Sequence, residues 1–134
     1  MRRITIMLIV ALLLMGNICF AASAEYLYTD ALGTKVYLEA ESIKSITYIW
    51  DCYKASTKLV FNKPISNITY SKMYFLIKKE NKDYAIVYIE NYDANDQLVS
   101  STDKANEVQW TPYDKNNQHS ILIDKVFGIA KQVK

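Results

Sequence analysis

TYSKMYFLIKKENKDYAIVYIEN, running from Thr69 to Asn91, is the stretch that decides the fold. Two runs of strand-forming residues, Thr69 to Lys79 and Lys82 to Asn91, flank Glu80-Asn81. Branched and aromatic side chains suit a pleated, half-buried surface, so the stretch predicts an antiparallel hairpin. Alternation gives each strand two faces. On the first, Met73, Phe75 and Ile77 share one face, and Tyr70, Tyr74 and Leu76 the other. On the second, Ala85, Val87 and Ile89 alternate with Tyr84, Ile86 and Tyr88. In one register the apolar sets coincide and the tyrosines form a stripe on the opposite face. A slip of one residue mixes them, and the tip lacks the Asn-Gly pair that would fix the turn, so both registers stay open.

Toward the N-terminus, Tyr26 to Thr29 and Lys35 to Leu38 read as short strands around the turn Asp30 to Gly33. Glu39 to Lys44 reads as a connection with room for one helical turn. Ser45 to Lys54 reads as a longer strand with Ile46, Tyr48, Trp50 and Cys52 on one face. Phe61 to Asn67 reads as a loop pinned by Pro64. Toward the C-terminus, Tyr92 to Asp96 is a turn, Gln97 to Ser101 a strand, and Thr102 to Asn106 a polar loop ahead of Val108 to Trp110. Asn116 or Asn117 caps a helix running to about Ala130, with Leu122, Val126 and Ile129 on one stripe. The fold class is α+β: an antiparallel sheet of about five to six strands with one C-terminal α-helix packed on one face.

Met1 to Ala24 has the three parts of a cleavable secretory signal: Arg2 and Arg3, an apolar run from Ile4 to Met15, and Ala22-Ser23-Ala24. The expectation is an exported protein, periplasmic, at the cell surface or secreted, with a single domain over residues 25–134 and no transmembrane span once the leader is gone. Without the two arginines, 14 basic residues remain, all lysine, against 14 acidic ones. A neutral domain without arginine lacks the basic excess of a nucleic-acid binder. Cys19 leaves with the leader, so Cys52 is alone, either buried or pairing between molecules.

No catalytic constellation stands out. His119 is the sole histidine and has no cluster of partners for a metal. Cys52 lies beside Trp50 with nothing nearby in sequence to activate its thiol. The carboxylate pairs Glu39/Glu41, Asp93/Asp96 and Asp103/Glu107 sit in predicted loops. No phosphate loop or nucleophile elbow is present. Neither an enzyme nor a cofactor is expected. The informative residues are the eleven tyrosines, all after the leader. Tyrosine and tryptophan give large contact areas at low entropic cost and keep a polar handle. Tyr70, Tyr74, Tyr84, Tyr88 and Trp50 are therefore the candidate binding residues, with cross-strand sheet pairing as their structural role.

The order of signals resembles the surface-adhesin protein E family of small exported bacterial domains. The resemblance is carried by Tyr26, Gly33-Thr34, Tyr37, Ser42-Ile43, Tyr74, Tyr84, Tyr92-Asp93, Leu98-Val99, Ser100-Ser101, Asp103 and Trp110, across most of the domain. The family's two cysteines are absent, with Lys78 or Lys79 in the first region and Ile129-Ala130 in the second. The resemblance implies a small antiparallel sheet packed on a helix. It also implies a binding role at the surface toward a host extracellular-matrix or envelope protein. Two alternatives stand beside it. One is a carrier of haem or lipid, with Trp50 or Tyr48 lining a cavity between sheet and helix and Cys52 or a tyrosine as haem ligand. The other is a structural envelope protein, a homodimer being one form of it through an exposed sheet edge.

Overall fold

The computed structural model describes residues 24–48 and 50–132. The leader reading lies outside these residues, except Ala24, which opens the first strand. The chain forms β1 (Ala24–Thr29), β2 (Lys35–Ile46), β3 (Cys52–Ile65), β4 (Ile68–Lys78), β5 (Tyr84–Tyr92), β6 (Leu98–Asp103) and α1 (His119–Gln132). The six strands make one antiparallel sheet in the order β1-β2-β3-β4-β5-β6, each paired with its neighbours in sequence. The α+β architecture is as expected: one sheet, one C-terminal helix, one core between them.

Three local expectations are corrected. Glu39 to Lys44 is not a connection but the middle of β2. Glu39 pairs with Ser56 and Lys44 with Lys54, so four residues of β2 bulge against Ala55. Ser42 lies in the bulge and supplies what the ladder loses: its Oγ accepts the Ser56 N–H at 2.8 Å and donates to the Glu39 carbonyl. Ser45 to Lys54 is not one strand. Ile46 pairs with Cys52, so the chain reverses over residues 47–51. The alternation of Ile46, Tyr48, Trp50 and Cys52 mimics a strand because the tip contains no glycine, proline or asparagine to mark it. Phe61 to Asn67 is not a loop. β3 runs on to Ile65, and Ser66 (φ 48°) and Asn67 (φ 67°) form a two-residue tip. Positive φ at both central positions is the hairpin conformation matched to strand twist. Val108 to Trp110 forms no strand; the segment touches the sheet through a Thr111–Tyr84 bridge.

The core forms where α1 meets the sheet. Leu122, Ile123 and Val126 of the helix are almost fully buried with Leu38, Ala55, Phe75, Ile77 and Tyr84 of the sheet. Full burial of such a side chain contributes about 1.5–3 kcal/mol each. Asn117 caps the helix, its Oδ1 accepting the His119 N–H at 3.0 Å. Two ion pairs border the seam, Lys125–Glu25 at 2.8 Å and Lys82–Asp124 at 3.0 Å. Leu27 in β1 and Val99 in β6 are extra residues, so both edge strands are bulged. Bulged edges discourage edge-to-edge pairing.

Gly128 lies exposed inside α1, and a Cβ there meets nothing within 4 Å. Gly128→Ala is expected to raise stability by about 0.5–1 kcal/mol, read as a higher urea midpoint at unchanged slope.

Candidate functional site

The register of β4 against β5 is neither of the two readings open from sequence. Tyr74 stands opposite Tyr88 and Phe75 opposite Ile86, which leaves Val87 as a bulged residue. A bulge shifts alternation by one position. Before it, Tyr84 and Ile86 point with Ile77 and Phe75 toward the helix. After it, Tyr88 and Tyr92 point the other way, opposite Tyr74 and Tyr70. One strand thus serves both layers.

The result is a ladder of four tyrosines on the face away from α1. Tyr70 and Tyr92 stack with ring centroids 4.9 Å apart and planes 11° off parallel. Tyr74 and Tyr88 lie 5.7 Å apart, tilted by 59°. All four are partly exposed. Two of the hydroxyls are held: Tyr70 donates to Asp96 at 2.8 Å and Tyr74 to Glu90 at 2.7 Å. Burial, then the bond to Asp96, pushes the Tyr70 phenol up to about 12. Burial and the bond to Glu90 likewise push Tyr74 up. Both stay protonated donors at neutral pH. On β3, Lys58 Nζ sits 4.3 Å from the Tyr70 ring centroid and Lys54 Nζ 6.0 Å from that of Tyr74. Lys72 pairs with Glu39 at 3.7 Å, whereas Lys54 and Lys58 have no carboxylate within 4 Å among the described residues. Asp96 and Glu90 are occupied by hydroxyls and Glu39 by Lys72, which leaves Lys58 and Lys54 free over the Tyr70 and Tyr74 rings.

The candidate residues therefore separate into three places. Tyr70, Tyr74 and Tyr88 come together on the open face. Tyr84 does not join them; it is 6 % exposed in the core, where its hydroxyl lies 2.7 Å from His119 Nδ1. Trp50 stands at the β2–β3 tip, edge-on to Trp110 at 5.8 Å, beside the same face. Sequence reading missed Tyr92, assigned to a turn, and the lysines Lys54 and Lys58. Their four-residue spacing places both on one face of a strand, which was legible only once β3 was known to begin at Cys52.

Cys52 is fully buried beneath this tip, and burial pushes its thiol up. Core side chains fill the middle of the space between sheet and helix, a cavity of about 470 Å³ remains between Ile43 and Tyr53 of the sheet and Ile129 of the helix, and Tyr48 and Trp50 border a separate pocket. Asp93 Oδ1 holds its own turn by accepting the Asn95 and Gln97 N–H groups at 2.9 and 3.0 Å. No group of three or more metal-ligating side chains is found among the described residues. His119 and Tyr84 border an open cavity of about 580 Å³ with Glu107 and Gln109. Comparison with known protein families, curated proteins and solved structures finds no match for this chain.

Burial lowers the affinity of His119 for a proton below its ordinary value of 6.5. Protonation then favours the unfolded chain, so this contribution is complete above about pH 6.5 and lost as pH falls. The urea midpoint of wild type should drop more between about pH 7.5 and pH 5 than that of His119→Gln, in which the carboxylates titrate alike. In a chain of residues 25–134, Cys52 should stay silent toward a disulfide-exchange reagent until denaturant exposes it, and a reducing agent should leave the melting temperature unchanged.

Proposed function

We propose that this chain is an exported binding module whose tyrosine-bearing sheet face docks a protein partner outside the cytoplasm. The observation that carries this reading is the ladder of Tyr70, Tyr74, Tyr88 and Tyr92, partly exposed on the face opposite the helix, with the Tyr70 hydroxyl fixed by Asp96 and the Tyr74 hydroxyl by Glu90. Rings already held in place lose little freedom on contact, so their area counts toward affinity. Lys54 and Lys58 add positive charge without partners and favour an acidic surface on the other protein. The resemblance to surface-adhesin protein E domains supports a host extracellular-matrix or envelope protein as that partner, and the leader supports export.

The ladder also stabilises the sheet, at about 0.2–1 kcal/mol per cross-strand pair, so binding and folding must be read separately. Tyr74→Ser with Tyr88→Ser is expected to keep the wild-type circular dichroism spectrum. Immobilised on a surface, it should retain at least ten-fold less of any matrix or envelope protein that wild type captures. Equal retention by wild type and the folded double variant would overturn the reading.

A further inference from the structure

Where the tyrosine ladder ends, the same face holds an apolar pocket of about 210 Å³. Its floor is Cys52, Leu76 and Val87, all buried, and its walls include Tyr48, Trp50 and Val108. Apolar side chains at the mouth of a soluble domain would ordinarily turn inward, yet Tyr48 is 81 % exposed and Trp50 37 % exposed. The rim is positive. Lys54 lines the pocket and reaches over Tyr74, which joins the pocket to the ladder. Lys78 stands 4.4 Å above the ring centroid of Trp110, the residue against which Trp50 leans. Neither lysine has a carboxylate within 4 Å among the described residues.

We propose that this pocket is the anchor of the binding face and takes one large apolar side chain, of phenylalanine or leucine size, from an acidic segment of the protein partner. The inference rests on the binding-face reading and specifies its partner. The volume excludes a larger guest, since small-molecule pockets run to roughly 300–1,000 Å³. A floor of thiol and hydrocarbon offers water few hydrogen-bond partners, so an entering apolar group displaces solvent that is poorly held. The unpaired charges of Lys54 and Lys78 select carboxylates on either side of that group. Protein interfaces concentrate their affinity in such central, desolvated pockets lined by aromatic residues.

Trp50 and Trp110 are the only tryptophans of the chain, so tryptophan-selective fluorescence reads the pocket wall and the ring packed against it. The probe is a blocked pentapeptide with phenylalanine at the centre and two acidic residues on each side. Titrated into the mature protein, it should give a saturable change. Peptides with a central alanine, or with lysine flanks, should bind at least ten-fold more weakly. Ala105 also lines the pocket, so Ala105→Leu fills it from the loop and should weaken the phenylalanine peptide ten-fold or more. Lys54→Glu, outside the packed floor, should do the same and serves should Ala105→Leu disturb the fold. The absence of a saturable change, equal affinity for the phenylalanine and alanine peptides, or an undiminished affinity in folded Lys54→Glu would each overturn the proposal. A tyrosine-dependent capture of the protein partner alongside a silent peptide titration would sink the pocket and leave the binding face standing. Peptide binding alongside tyrosine-independent capture would do the reverse.

Discussion

The contact of Leu122, Ile123 and Val126 with Leu38, Phe75 and Ile77 is what the remaining structure depends on. A six-stranded sheet has two chemically similar sides until something covers one of them. Seating the helix makes one side the interior and thereby makes the other a surface. No covalent link shares the task, because Cys52 is the only cysteine among the described residues and it is unpaired. The helix is tied as well: Asn117 caps its start, and from its middle Lys125 and Asp124 reach across to Glu25 and Lys82.

With the faces assigned, a single extra residue distributes the aromatic side chains. Val87 bulges from β5, so Tyr84 turns into the core while Tyr88 and Tyr92 remain outside. Each ring then acquires an environment of its own. Tyr84 meets His119, whose imidazole burial holds neutral. Tyr70 and Tyr74 meet carboxylates, and their phenols are held in the protonated, donating state. Because those carboxylates are engaged, Lys54 and Lys58 are left to rest on the rings. The positive character of the face follows from hydrogen bonding rather than from net charge, since residues 25–134 carry equal numbers of basic and acidic residues.

The same economy explains the pocket at the end of the ladder. The bulge that frees Tyr88 also leaves Val87 on the outer side, beside Leu76 and Cys52. Tyr48 and Trp50 on one side and Ala105 and Val108 on the other line the space above them. Trp50 and Trp110 brace each other there, with Lys78 on top. A satellite cluster of this kind needs an apolar floor and walls: the strand register supplies the floor of Cys52, Leu76 and Val87, and the loop residues Tyr48, Trp50 and Val108 supply the walls.

Much of the architecture was legible in the chain. The alternation in Thr69 to Asn91 marks its two central strands, and the stripe of Leu122, Val126 and Ile129 marks the helix, because period-2 and period-3.6 patterns survive without tertiary information. The tyrosines were legible as a set, but the register that places them, with Val87 bulged, was neither of the two open from sequence. What sequence could not carry was every feature set by pairing across strands: the reversal at residues 47–51, the Ser66-Asn67 tip, the long bulge around Ser42 and the placement of Tyr84 apart from Tyr88. These depend on which residue lies opposite which. That choice is made only when neighbouring strands and the helix bury their apolar side chains together, since a bulge costs little locally and is retained for what it puts inside.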